Sequence, residues 1–137
     1  MLEPGAMRRA SLILIACFVV IAPATASAAC HWSARLHATT HHPKANAHWP
    51  IRVTTSLKSV RTSAYYQFVF GNRVVAKREI NPKSDAPGTK RFHFRGSFRD
   101  GTVTWPKKST GIPLIFRVVL KNRCGTKRLN YKVTVSK

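Results

Sequence analysis

Across residues 51–135 apolar and polar residues alternate with a period of two, and that period excludes most folds. Successive side chains of a strand leave opposite faces of its sheet, whereas a helix would need apolar spacings of three and four. Ile51, Val53 and Leu57 share one face, with Arg52, Thr54, Ser56 and Lys58 on the other. Residues 64–70 put Tyr66, Phe68 and Phe70 together, and Gly71-Asn72 reads as a two-residue hairpin turn into residues 73–80. There Val74, Ala76 and Ile80 are expected to point inwards, and Arg73, Val75, Lys77 and Glu79 outwards. Asn81-Pro82 and Pro87-Gly88 bracket a loop, because proline cannot donate to a ladder and glycine tolerates positive φ.

Beyond that loop Phe92, Phe94 and Phe98 alternate with Arg91, His93, Arg95 and Ser97 as one further run. Arg99-Asp100-Gly101 then turns the chain into a short strand over 102–105, which Pro106 ends. Leu114, Phe116, Val118 and Leu120 alternate with Ile115, Arg117, Val119 and Lys121; residues 122–127 read as a turn; Leu129, Tyr131, Val133 and Val135 alternate with Arg128, Asn130, Lys132 and Thr134. Seven short strands separated by turn residues predict an all-β fold, an antiparallel immunoglobulin-like β-sandwich, with a small closed barrel as the alternative. Residues 65–72, Tyr-Tyr-Gln-Phe-Val-Phe-Gly-Asn, resemble the aromatic strand and turn of PKD-type bacterial immunoglobulin-like domains, and residues 111–135 resemble their final hairpin. The resemblance implies an extracellular sandwich used as a spacer or adhesion module, with no catalytic residues to carry over.

The amino end carries an address. Met7-Arg8-Arg9 precedes an apolar run over 12–22, then Pro23 and a small-residue tail over 24–29, the layout of a helical secretory signal peptide spanning 1–29. A membrane anchor is the alternative, but the apolar run is roughly half of the ~20 residues a spanning helix needs. Residues 30–50 hold five of the six histidines, show no sustained apolar period and read as a polar leader with a short strand near 33–39; the sandwich is expected over 51–137. The expected location is therefore extracytoplasmic, in a bacterial envelope or outside the cell, with no membrane span after cleavage. Cys17 leaves with the signal, and Cys30 and Cys124 remain to pair in an oxidising compartment. Lipidation of Cys30 is the rival, although Ser27 stands where such motifs prefer a bulky aliphatic residue.

Without Arg8, Arg9 and Glu3 the chain keeps 22 basic residues against Glu79, Asp85 and Asp100, a net charge of +19. Such a surface attracts polyanions. Alternation forces the bases outwards, so Arg73, Lys77, Arg117, Lys121, Arg128 and Lys132 are expected to form one field, with Arg52, Lys58, Arg91 and Arg95 across the sandwich. Three acids argue against paired-carboxylate catalysis, and no nucleophile elbow, zinc-protease or phosphate-loop motif occurs, so no enzyme and no cofactor are expected. The expected function is electrostatic binding of anionic envelope or extracellular polymers: teichoic-type chains, acidic polysaccharide, anionic lipid or shed DNA. Export opposes a role on intracellular nucleic acid. The alternatives are a structural or protein-interaction module, and a copper or nickel binder that uses an exposed Ala29-Cys30-His31 start with His37 and His41 as further ligands.

Overall fold

The computed structural model describes residues 30–80 and 92–137, so the expected signal peptide, the loop with Asp85, and Arg91 lie outside the described residues. The order of elements is β1 (Ala34–Ala38), β2 (Ile51–Thr55), β3 (Thr62–Phe70), β4 (Arg73–Glu79), β5 (Phe92–Phe94), β6 (Ser97–Asp100), a 3-10 turn (Lys107–Ser109), β7 (Pro113–Asn122) and β8 (Gly125–Thr134). These eight strands form two antiparallel sheets, β1-β2-β6 and β4-β3-β7-β8, with β5 also paired to β3. Period-two hydrophobicity therefore yields the all-β double layer it predicts. The inward positions of β2, β3 and β7 (Val53, Tyr66, Phe116, Val118 and Leu120) lie in one shared core.

The strand count differs from seven for local reasons. The run expected over 92–98 is two strands in two sheets: β5 pairs with β3, and β6 pairs with β2. Gly96 makes the switch at φ +72°, a left-handed conformation open to glycine. Its carbonyl accepts the Thr55 N–H at 2.7 Å, which pins the kink to β2. The strand expected over 102–105 is instead an extended segment pinned by single bonds: Trp49 N–H donates to Val103 O at 2.8 Å and Asn46 N–H to Trp105 O at 2.7 Å. The expected turn over 122–127 tightens to Arg123-Cys124, since Asn122 already pairs with Gly125.

Residues 30–50 are woven into the sandwich. β1 lies here and pairs with β2 from Ala34 to Ala38. Trp49 is 1% exposed and meets Trp105, Phe116 and Tyr131 at centroid distances of 5.5, 5.2 and 5.7 Å. Its indole N–H donates to Thr40 O at 2.9 Å, so this segment satisfies the polar atom it buries. Trp32 and Trp49 stand far apart among polar residues and set up no period, which is why the sequence reads the segment as a leader.

Three inward assignments fail, all around the first hairpin: Phe70 is 50% exposed, and in β4 Val74 is 49% exposed and Ala76 is exposed too, while Val75, expected outwards, is 58% exposed. β4 is an edge strand at the rim of the larger sheet, so its inward side meets little of the smaller sheet. A bulge adds to this: Phe68 pairs with Ala76 but Val69 pairs with Val74, leaving Val75 as the extra residue.

The two sheets are also joined by polar and covalent ties. Tyr66 on β3 donates its hydroxyl to Asp100 Oδ2 on β6 at 2.7 Å, and Asp100 Oδ1 accepts from the Thr102 N–H at 2.8 Å and its hydroxyl at 2.6 Å. Asp100 is 2% exposed, so these three donors replace the water a carboxylate needs. Desolvation by burial, then the Asp100 charge and hydrogen bond, push the Tyr66 phenol far above its ordinary range. The expected disulfide is present: Cys30, ahead of β1, is bonded to Cys124 with a Cα–Cα distance of 5.2 Å. Asn122 shapes the hairpin tip, since its Oδ1 accepts the Cys124 N–H at 2.8 Å.

Candidate polyanion-binding face

The register of the larger sheet decides which bases share a face. Lys77, Gln67, Arg117 and Asn130 form one row across β4, β3, β7 and β8. The next row is Glu79, Tyr65, Val119 and Arg128; on the other side Val69, Ile115 and Lys132 align, and at the far end Ser63, Lys121 and Thr126. All lie on the side of the sheet away from the core. Lys77, Arg117, Lys121, Arg128 and Lys132 are thereby brought onto one surface. Arg73 is not: it pairs with Phe70, and the bulge at Val75 reverses parity between Arg73 and Lys77.

Neighbouring side chains hold two of these cations. Arg117 Nε donates to Asn130 Oδ1 at 2.8 Å and Nη1 to Gln67 Oε1 at 3.4 Å, which lays the guanidinium along its row. The Lys77 ammonium stands 4.4 Å from the Tyr65 ring centroid, a cation–π contact. Val69 and Val119 share this outer face and are each only 3% exposed. Among the described residues the acids are Glu79 and Asp100. Asp100 is committed to Tyr66 and Thr102, so among the described residues Glu79 is the acid that puts negative charge near this face.

The second expected set is dispersed. Arg52 is exposed on β2, Lys58 lies in the turn after it, and Arg95 Nε donates to Ser59 O at 3.3 Å. Two bases absent from both expected sets, Arg35 on β1 and Arg99 on β6, also stand on outer positions. The signal for them was present, since Arg35 lies between Ala34 and Leu36, and Arg99 follows Phe98.

The histidines expected as metal ligands are placed apart. His31 is exposed ahead of β1. His37 is paired with Arg52 across β1 and β2. His41 stacks on Tyr131 at 4.1 Å and donates its Nδ1–H to Lys132 O at 2.7 Å. Among the described residues no cluster of three or more His, Cys, Asp or Glu side chains is arranged to hold a metal. No protein-family model matches this chain, and no curated protein is found similar to it.

Proposed function

We propose that this chain is an exported, non-enzymatic immunoglobulin-like module that associates electrostatically with anionic envelope or extracellular polymers. The single observation carrying this reading is the set of five cations, Lys77, Arg117, Lys121, Arg128 and Lys132, aligned on one face by strand register. The immunoglobulin-like reading draws on strand order: β1-β2-β6 against β4-β3-β7-β8 corresponds to strands A-B-E against C′-C-F-G of such domains. The chain after β1 also crosses over as a first strand does there, with Lys44 in a parallel bridge to Ser136 just beyond β8. The Cys30–Cys124 disulfide supports an oxidising, extracytoplasmic location.

Retention of the protein on isolated cell envelope, measured over a salt series, tests the reading. Exposed charge contacts are screened beyond ~8–10 Å at moderate salt, so retention should fall steeply between low and physiological ionic strength. The variant K77Q/K121Q/K132Q should release at lower salt than the unaltered chain. Retention indifferent to salt and to these substitutions would refute the electrostatic reading.

A further inference from the structure

A second basic surface lies at the seam between the sheets. The edge of β1 meets the edge of β8 there, and a cleft of about 630 Å3 opens between them. Arg35 and His37 line it from β1, Arg52 and Thr54 from β2, and Arg128 and Asn130 from β8. A second cleft of about 560 Å3 shares His37 and Arg52 as a common wall and adds Arg99. Asp100 borders this second cleft, but its carboxylate is turned inward onto Tyr66 and Thr102.

The registers set these bases next to one another on the smaller sheet. His37 pairs directly with Arg52, and Arg52 pairs directly with Arg99, so three basic residues stand side by side across the smaller sheet. Neighbouring strands are about 4.8 Å apart, and like charges placed directly opposite one another repel. An anion lying over the row would relieve that repulsion. On the larger sheet Lys77, Lys121 and Lys132 offer point charges beside Arg117, and Arg128 on the edge strand β8 belongs both to that face and to the first cleft; the other cleft bases are Arg35, Arg52, Arg99 and His37, and guanidinium forks bind oxyanions in fixed directions.

We propose, resting on the polyanion reading above, that these adjoining clefts are the seat of recognition for a linear anionic glycopolymer bearing tetrahedral oxyanion esters. A carboxylate is planar, and one fork satisfies its two oxygens. Arg35, Arg52 and Arg128 come from three different strands and two sheets, with the Thr54 hydroxyl and the Asn130 amide between them. That disposition suits a group whose oxygens point in several directions, as in a phosphodiester or sulfate ester. Each cleft has the size of a small-ligand site and takes a repeat of the polymer, with the shared His37–Arg52 wall between consecutive seats. The lysine face then supplies long-range attraction, and the arginine clefts supply the choice of group.

The test uses the disulfide-bonded protein with three immobilised polymers: poly(glycerol phosphate), dextran sulfate and polygalacturonate. The pair R52K/R128K keeps the net charge and removes two forks, and K77R/K132R is the matching charge-neutral change on the lysine face. Both cleft positions are exposed, so folding should be retained, as coincident unfolding curves would confirm; R35K is a second, single-site variant. Expected is a loss of about tenfold or more for R52K/R128K on whichever tetrahedral-anion polymer binds, with little change for K77R/K132R. The phosphate and sulfate arms identify the source of the ester. Unchanged affinity for R52K/R128K and R35K overturns the cleft proposal while leaving the electrostatic function standing. Equally tight, fork-dependent binding of polygalacturonate overturns the tetrahedral preference. Failure of the unaltered protein to bind any of the three removes the electrostatic function itself.

Discussion

Tyr66→Phe isolates the buried link between the two sheets. The substitution removes one hydroxyl and leaves the ring tilted against Phe116, whose centroid lies 4.9 Å away. Asp100 keeps the Thr102 donors on Oδ1, but Oδ2 loses its donor in a site where the residue is 2% exposed. A hydrogen bond to a charged group contributes about 1.5–3 kcal/mol, and the orphaned oxygen cannot recover it from water, so the loss at neutral pH should be about 2–3 kcal/mol. The pH dependence adds a second, independent signature. The folded phenol is held protonated above its ordinary range, whereas the unfolded one ionises near pH 10. Above that pH the folded state binds more protons than the unfolded state, so stability falls as pH rises. The advantage of Tyr66 is thus fully present below pH 10 and shrinks by about 1.4 kcal/mol by pH 11, while the phenylalanine variant lacks this contribution. Urea unfolding followed by tryptophan fluorescence at pH 7, 9, 10 and 11 measures both effects, because Trp49 and Trp105 are each 1% exposed in the folded protein. A loss below about 1 kcal/mol at pH 7, or parallel stability curves for the two proteins up to pH 11, would show that the Tyr66–Asp100 bond is not the tie described here.

Three further outcomes are expected. Replacing both Cys30 and Cys124 by alanine should cost about 4–5 kcal/mol by the chain-entropy argument for a separation of 94 residues, read from urea unfolding by linear extrapolation, with a steeper slope because the unfolded chain expands without the cross-link. Gly96→Ala should cost about 1–2 kcal/mol from its left-handed backbone alone, since an added Cβ would meet only Lys58 at 3.7 Å, whereas Gly101→Ala, with open space and no positive φ, should lie within about 0.5 kcal/mol of the parent in the same assay. Trp49→Ala should cost about 3–5 kcal/mol, and His48→Ala beside it close to nothing; equal small effects would mean that residues 30–50 are an appended leader after all.

Most of the double layer was legible because alternation is a direct readout of which face a side chain leaves. Val53, Tyr66, Phe116, Val118, Leu120 and Val133 all fall where that rule puts them. What it could not supply is partner choice. The run 92–98 has one unbroken alternation, yet Gly96 hands its two halves to different sheets, and a residue with no side chain leaves the hydrophobic pattern silent about the change. Trp49 was hidden for the opposite reason: it is held by contacts with Trp105, Phe116 and Tyr131, all far along the chain, and nothing within its own segment announces burial.

The same limit governs the charged surface. Whether two bases act together depends on parity and register, and one extra residue changes both. Val75 does this in β4, so Arg73 and Lys77, four apart and in phase by simple alternation, belong to different sides. In the other direction, Arg52 and Arg128 are 76 positions apart and belong to different sheets, yet they line one cleft because β1 and β8 meet edge to edge. Sequence therefore gives the number of cations and their outward sense, while the sheet edges decide which of them can grip a single anion. A charge count predicts adhesion to any polyanion; a cleft fed by three strands predicts a preference among them, and the lysine-for-arginine exchange separates the two because it alters geometry while leaving the charge as it was.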